Sequence, residues 1–194
     1  MRIILASGSP RRLQLMEQAG IKCEVIVSDV DENIGDDVPA HKQVEELAMR
    51  KAQAVRQQMK GDAIIIAADT LVSLDGQVLS KPTCGAEAFN MLRALQGRKH
   101  TVYTGVYIIK IGGVDDEIHS FVEAADVFFR PLTSYDIGGY IATGETDDKA
   151  GAYGAQGRGA VLVERIEGDF FTVMGLPISK LCAVLSDMDV DIWQ

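Results

Sequence analysis

Residues 63–70, Ala-Ile-Ile-Ile-Ala-Ala-Asp-Thr, decide the fold class of this chain. An unbroken apolar run of this kind is typical of a central strand that is covered on both faces. The run ends on Asp69-Thr70, so we expect a carboxylate at the strand's carboxyl end. A carboxylate at that position can hold a metal ion or activate a water molecule. A lone aspartate there more commonly forms a turn that caps the next segment.

Upstream of this run, strands are predicted to alternate with helices. The elements, in order, are a strand at 2–6, a helix at 10–19 with Ser9 as N-cap and Gly20 as its end, a strand at 22–27, a polar loop at 29–39 and a helix at 41–59. The last helix has apolar residues at spacings of three and four, which predicts one buried face. Lys51 lies on that apolar stripe, so its side chain either extends to solvent or points into a cleft.

Downstream, longer β segments are predicted to follow. The elements are a hairpin at 71–79 with its turn at Asp75-Gly76, a helix at 85–96, strands at 100–111 and 117–129, a helix at 133–142, a Gly-rich loop at 144–159, a strand at 160–166 and a helix from 177. This order predicts an α/β fold around one extended, mixed central sheet, with a cleft at the carboxyl ends of the first and third strands. No linker divides the chain, so residues 1–194 are expected to form a single domain.

Composition limits the classes of function. The chain has 194 residues, of which 47% are hydrophobic and 24% charged, and its formal net charge is -9. So acidic a chain is not expected to bind nucleic acid, although a few clustered cations can still bind a small anion. Its apolar runs are too short to span a bilayer and its start carries no signal pattern, so we expect no membrane contact and a cytoplasmic location.

Cysteine and histidine residues give no sign of a disulfide framework or a zinc site. Their positions are Cys23, Cys84, Cys182, His41, His100 and His119. The cysteines are odd in number and widely spaced, so we expect reduced thiols that are buried or half-buried. Any metal is therefore expected on oxygen ligands, which favours Mg²⁺ or Mn²⁺.

The turn at residues 7–12, Ser-Gly-Ser-Pro-Arg-Arg, is a candidate anion site. A strand that leads into a Pro-started helix presents free backbone N–H groups at the positive helix end. Arg11 and Arg12 would oppose the helix dipole there unless an anion compensates their charge. An ordinary capped helix with solvated arginines explains the same residues equally well.

Other candidate residues are scattered along the chain. Asp31 and Glu32 could add a second oxygen ligand for a metal, or form a solvated acidic loop. Lys51 and Lys81 could join Arg12 as three cations around a triphosphate. The loop at 147–157 is rich in small residues and suits the wall of a binding site, where Gln156 could meet a base edge. A flexible surface loop is the alternative.

Taken together and in this order, these segments resemble the Maf family of nucleotide pyrophosphatases. The matching motifs are residues 5–12, Asp31-Glu32, Lys51, residues 68–70, Gly76 with Lys81-Pro82, residues 148–154 with Gln156-Gly157, and residues 173–177. The resemblance implies a fold akin to the inosine triphosphate pyrophosphatases, with two lobes around a cleft. It also implies hydrolysis of a nucleoside triphosphate to the monophosphate and pyrophosphate, with a divalent cation such as Mg²⁺ or Mn²⁺.

The resemblance assigns roles to individual residues. Asp69 would be the proton acceptor, and Asp69 and Glu32 would bind the metal ion. The phosphate-binding residues would be Ser7, Arg12, Lys51 and Lys81. Arg11, Thr70 and Gln156 would choose the base.

The three base-choosing positions also divide the family by substrate. The combination of Arg, Thr and Gln resembles the branch that acts on dTTP and UTP, often with modified pyrimidines. The alternatives are the branch for 7-methyl-GTP, a broad housecleaning activity, or a regulatory protein of cell division or septum formation that acts through partners. Phe128, Phe129 and the terminal Ile192-Trp193 fit either the core or a homodimer interface, so a homodimer is an open expectation.

Overall fold

The computed structural model describes residues 1–35 and 37–193. Asp36, in the predicted loop 29–39, and Gln194, the last residue of the predicted domain, lie outside the described residues. The strands are β1 (Arg2–Leu5), β2 (Glu24–Val25), β3 (Ala63–Leu74), β4 (Gln77–Leu79), β5 (Lys99–Ile111), β6 (Glu117–Phe129) and β7 (Val163–Glu167). The helices are α1 (Pro10–Gln18), α2 (Ala40–Arg56), α3 (Gly85–Leu95), α4 (Ser134–Ile141), α5 (Phe170–Met174) and α6 (Ile178–Asp187), with 3₁₀ turns at Ala150–Ala152 and Gly157–Val161.

The seven strands form one mixed sheet. Its order is β2-β1-β3-β5-β6-β7, and β4 pairs with β3 outside this path. Strand β1 runs parallel to both β2 and β3, whereas β4 is antiparallel to β3 and β7 is antiparallel to β6. The prediction of an α/β fold around a mixed central sheet is confirmed.

The central strand is buried on both faces, as its apolar run predicts. Residues 63–68 all have 0% exposure. The prediction that this strand ends at Asp69 is wrong, because β3 continues through Asp69 to Leu74. Its last three residues pair with β4, and the hairpin turn has Asp75 and Gly76 at φ 52° and 85°. Two positive φ angles suit the twist of a two-residue hairpin, so the predicted turn is confirmed.

Other elements also differ from the prediction. The predicted strand 22–27 shrinks to two residues, because β2 lies at the sheet edge and pairs only with β1. The predicted strand 160–166 starts at Val163, since the residues before it form a 3₁₀ turn. Helix α5 was not predicted. Its five residues are too few to show a helical period.

The chain divides into two compact units, whose boundaries fall within β3, β5 and β6 and directly after α5. The first comprises Met1–Asp69, Thr104–Glu123 and Gly175–Gln194, and the second comprises Thr70–Tyr103 and Ala124–Met174. One core cluster of the first unit joins apolar residues of β1, α2, β3 and β5. Its buried members are Ile4, Ala6, Ala52, Val55, Ala63, Ile65, Ala67, Ile109 and Ile111.

A close contact fixes α2 against β5 in the first unit. Gly105 of β5 lies against the backbone of α2, and a Cβ atom there would be 2.4 Å from the Val44 carbonyl oxygen. Only glycine allows the helix to approach the strand this closely. Since α2 carries Lys51, this contact helps to set the position of that lysine.

The core of the second unit packs α3 and α4 with parts of β3, β5, β6 and the loop after residue 150. Phe129 is 2% exposed and belongs to this core, while the half-buried Phe128 packs under the guanidinium of Arg165 at 3.4 Å. Trp193, in the first unit, is 91% exposed. A homodimer therefore stays a prediction.

The cysteine prediction is correct for two of the three thiols. Cys23 and Cys182 are half-buried, but Cys84, at the N-cap of α3, is exposed. No helix within residues 1–35 and 37–193 is long and apolar enough to cross a membrane.

Candidate active site

The turn between β1 and α1 is organised by the buried hydroxyl of Ser7. Its Oγ accepts a hydrogen bond from the Ser9 backbone N–H at 3.2 Å and another from Arg12 Nη1 at 3.1 Å. Helix α1 begins at Pro10 as predicted, with Ser9 at the N-cap, but the Ser9 side chain makes no capping bond. Ser7 therefore joins the strand end to the first turn of the helix, and the prediction of Ser9 as the N-cap residue is confirmed.

Arg12 is held on its other side by a distant loop. Its Nε donates to the Gly175 carbonyl oxygen at 2.7 Å. Gly175 has a φ of 103°, which favours glycine, and this explains why the 173–177 motif contains it. The sequence showed this motif without revealing that its carbonyl fixes Arg12. The contact joins residues 163 positions apart, so no local pattern could have predicted it.

Burial and charge act in opposite directions on Arg12. Burial lowers the pKa of its guanidinium, and the Asp69 carboxylate opposes this effect. Arginine remains protonated in proteins, so Arg12 stays a cation at neutral pH. The negative charge of Asp69 therefore compensates part of the positive charge of the arginines in the first turn of α1.

Lys51 resolves the choice that its position on the α2 stripe left open. Its Nζ lies 2.6 Å from Asp69 Oδ1 and 2.6 Å from Glu32 Oε1. The side chains of Lys51 and Asp69 are only 11% and 10% exposed, whereas that of Glu32 is 54% exposed. The ammonium therefore points inward and bridges a buried carboxylate to a more accessible one.

The environment of Asp69 suits a proton acceptor. Burial raises the pKa of its carboxyl, while the positive charges of Lys51 and Arg12 lower it. A base is most effective when its pKa approaches the working pH, and burial moves this carboxyl in that direction. Because β3 continues past Asp69, the backbone around this side chain is fixed on both sides by strand geometry.

The loop that carries Glu32 is fastened to α2. Arg50 Nη1 donates to the carbonyl oxygens of Asp31 at 3.0 Å and Asn33 at 3.4 Å, and its Nε donates to Glu46 Oε1 at 2.8 Å. Asp31 is exposed, and its Oδ1 accepts a hydrogen bond from the Asn33 N–H of the same loop at 2.9 Å. Arg50 thus grips the backbone on both sides of Glu32. Sequence reasoning missed this residue, since nothing in its spacing differs from a solvated helix arginine.

The remaining predicted residues lie in other parts of the fold. Arg11 is half-buried in the first turn of α1, in the first unit. Thr70, Lys81 and Gln156 belong to the second unit, where Thr70 is half-buried and the other two are exposed. The structure thus brings together Ser7, Arg12, Glu32, Lys51 and Asp69. The predicted convergence of Lys81 on the same site stays a prediction.

The Gly-rich loop of the second unit is held by side chains around it. Tyr140 Oη accepts from the Gly154 N–H at 3.1 Å. The Glu145 carboxylate accepts from the backbone N–H groups of Arg158 at 3.1 Å and Gly159 at 3.3 Å. Because the neighbouring residues 151–153 are buried, this part of the loop is not a solvated surface segment. The arrangement fixes the backbone on both sides of Gln156.

A buried histidine supports the same loop. His100 Nε2 forms a hydrogen bond of 2.7 Å with Tyr153 Oη, and Phe129 packs edge-on against both rings. Burial lowers the pKa of His100 to about 4. Among the side chains that the structure describes, His100 Nδ1 is buried without a hydrogen-bond partner. The ring is therefore neutral at physiological pH.

The donor atoms of the first unit fit a hard divalent cation. Within the described part of the chain, no three His, Cys, Asp or Glu side chains form a metal cluster. Asp69 and Glu32, however, each place one carboxylate oxygen next to the same atom, Lys51 Nζ. Mg²⁺ is commonly bound by one or two carboxylates together with water and substrate phosphates. The carboxylates of Asp69 and Glu32 are therefore enough protein ligands for a Mg²⁺ ion that also binds water and substrate phosphates.

Comparison with known proteins identifies the family. Residues 2–188 match the family model described as Maf-like protein. A dTTP/UTP pyrophosphatase from Bacillus cereus is 46% identical over 191 residues, which are 98% of this chain and 97% of that protein. Another from Caldanaerobacter subterraneus is 45% identical over 185 residues, covering 95% of this chain and 88% of that protein. The chain belongs to the Maf-like family, and the resemblance in its motifs is confirmed.

Similar chains are also found among solved structures. A nucleoside-triphosphatase / dITP/XTP pyrophosphatase from Mycobacterium abscessus is 13% identical, with a TM-score of 0.47, and the alignment covers 97% of this chain and 95% of that chain. A HAM1 protein from Coxiella burnetii is 17% identical, with a TM-score of 0.44 and coverage of 96% and 99%.

Proposed function

We propose that this chain, acting as a single domain over residues 1–194, hydrolyses dTTP and UTP to the monophosphate and pyrophosphate with a divalent cation. Two relatives at 46% and 45% identity carry the name dTTP/UTP pyrophosphatase over nearly the whole length of this chain. The structural observation that carries the proposal is the group of Arg12, Lys51, Asp69 and Glu32, in which two cations lie next to a buried carboxylate and a more exposed one.

Asp69 is the group proposed to start the reaction. Its carboxylate accepts a proton from a water molecule, and the resulting hydroxide attacks the α-phosphorus while pyrophosphate leaves. Burial favours this role because it raises the pKa of the Asp69 carboxyl, so the carboxylate is more basic than an exposed one. The proton ends on Asp69, and the bond from the α-phosphorus to the bridging oxygen breaks.

The cations of the site are proposed to bind phosphate oxygens. Arg12 is preorganised by its bonds to Ser7 and Gly175, so little entropy is lost when its guanidinium binds an oxyanion. Ser7, Lys51 and Lys81 are the other proposed phosphate-binding residues. A divalent ion held by Asp69 and Glu32 would supply further charge neutralisation at the phosphates.

Selection of the base is proposed to depend on Arg11, Thr70 and Gln156. Gln156 has a donor and an acceptor that match the edge of thymine or uracil. Neither an indole that stacks on a cationic methylated purine nor an acid that pairs with it is present at these three positions. The fixed backbone on both sides of Gln156 supports a selective role, because a rigid donor discriminates better than a mobile one.

A nucleotide panel tests the proposal. Pyrophosphate release is measured with dTTP, UTP, dCTP, dATP, GTP and 7-methyl-GTP, each with Mg²⁺ and with Mn²⁺. We expect the highest kcat/KM with dTTP and UTP, and a loss of at least about 100-fold in Asp69→Asn. Asp62→Asn, an exposed carboxylate just before β3, is the matched control and should retain activity. Preference for 7-methyl-GTP would overturn the proposed base selection, and full activity of Asp69→Asn would overturn the proposed base.

A further inference from the structure

The ammonium of Lys51 is already neutralised within the protein. It contacts two carboxylates at 2.6 Å, and its own side chain is 11% exposed. A lysine whose only role was to bind phosphate would bind it more tightly if its charge were uncompensated and directed toward solvent. The geometry instead gives Lys51 a task in the free protein, where it compensates a buried carboxylate that is costly to leave unpaired.

The position of Lys51 Nζ is also where a bridging metal ion would lie. Mg²⁺ binds oxygen at about 2.0–2.1 Å, so an ion shared by the same oxygens of Asp69 and Glu32 must occupy the space between them. An ammonium that lies 2.6 Å from both oxygens fills that space. Ammonium and metal therefore exclude each other, by volume and by like charge.

The ammonium of Lys51 can also move away from the two carboxylates. Lysine carries a compact charge on a flexible four-carbon stem, so its ammonium can move several ångströms without a change in the helix. Glu32 is 54% exposed, so the bridge can be reached from solvent. A triphosphate next to Arg12 would offer the displaced ammonium a new partner of higher negative charge.

We propose that Lys51 is an exchangeable counterion, which pairs Asp69 with Glu32 in the free protein and moves to the phosphates when the divalent ion takes its place. This inference rests on the proposed function, since it deepens the roles of the same residues. It predicts that metal and nucleotide bind with positive coupling. The phosphates draw the Lys51 ammonium away from the metal position, and the metal frees that ammonium to bind the phosphates. The exchange also predicts that the protein alone binds the metal weakly.

Mn²⁺ binding without nucleotide tests the exchange. Free Mn²⁺ is measured by electron paramagnetic resonance at pH 8 for the wild type, Lys51→Met and Lys42→Met. Lys42 also lies on α2 and pairs with a carboxylate, but its side chain is 59% exposed, so it is a matched control. Removing the competing ammonium should tighten Mn²⁺ binding at least tenfold in Lys51→Met and leave Lys42→Met unchanged. Equal or weaker binding in Lys51→Met would overturn the proposal.

A second variant protects the test against loss of folding. Lys51→Gln keeps a hydrogen-bond donor for Asp69 while it removes the charge. The affinity for a non-hydrolysable dTTP analogue is measured with and without Mn²⁺, and the ratio of the two affinities gives the coupling. The ratio should fall at least tenfold from the wild type to Lys51→Gln, whereas an unchanged ratio contradicts the exchange. Hydrolysis of dTTP by the wild type is assayed separately, so its absence would refute the proposed function without changing the Mn²⁺ result.

Discussion

Mild acid should destabilise the chain through His100, which is buried in the core of the second unit. The pKa of this histidine is lowered from 6.5 to about 4, because burial disfavours the charged ring. Between these values the unfolded chain binds a proton at His100 and the folded chain does not. The stability that the neutral ring provides is therefore complete above about pH 6.5 and falls as the pH decreases toward 4.

The size of the effect follows from the difference in pKa. Each pKa unit corresponds to about 1.4 kcal/mol of differential interaction. Lowering the pH from 7.5 to 5.0 crosses about 1.5 of the roughly 2.5 units between the two values, so about 2 kcal/mol of unfolding free energy should be lost. Since His100 is only 2% exposed, solvent screening does not reduce this figure appreciably.

Urea denaturation of the wild type and His100→Gln at pH 7.5 and 5.0 measures this loss. Glutamine can still reach Tyr153 but does not titrate, so the variant should lose about 2 kcal/mol less than the wild type over the same interval. His119→Gln, on the exposed part of β6, retains His100 and should follow the wild type. The same pH dependence in wild type and His100→Gln would refute the assignment of the acid sensitivity to His100.

Two substitutions test how α2 is held. Arg50→Gln should weaken Mn²⁺ binding and turnover about tenfold, because it releases the backbone beside Glu32. Arg56→Gln, on the same helix, is the control, and equal effects in both would contradict a positioning role for Arg50. Gly105→Ala should cost at least about 2 kcal/mol of unfolding stability, since its Cβ would meet the Val44 carbonyl at 2.4 Å. Chemical denaturation would contradict this if the loss were below about 0.5 kcal/mol.

The strand core and the hairpin could be predicted because they depend on local pattern. An apolar run without polar interruption at 63–68 requires cover on both faces, and Asp75-Gly76 has the positive φ angles that such a turn needs. The end of β3 could not be predicted. Asp69-Thr70 is polar and ends the apolar run, yet β3 continues past it to the residues that pair with β4.

The candidate site could be predicted in its residue types but not in its contacts. The turn at 7–12 is a candidate anion site by its own sequence, and Lys51 stands out as a charge on an apolar stripe. That Lys51 bridges Asp69 and Glu32 depends on three segments that meet only in the folded chain. The hydrogen bond from Arg12 to Gly175 is equally non-local, so it cannot be predicted from the spacing of residues in the sequence.

The most direct test of the proposed reaction is the position of bond cleavage. The chain is incubated with dTTP and a divalent cation in water enriched in ¹⁸O, and both products are analysed by mass spectrometry. Attack on the α-phosphorus predicts one ¹⁸O atom in the thymidine monophosphate and none in the pyrophosphate. Label in the pyrophosphate, or release of inorganic phosphate in place of pyrophosphate, would contradict the proposed function.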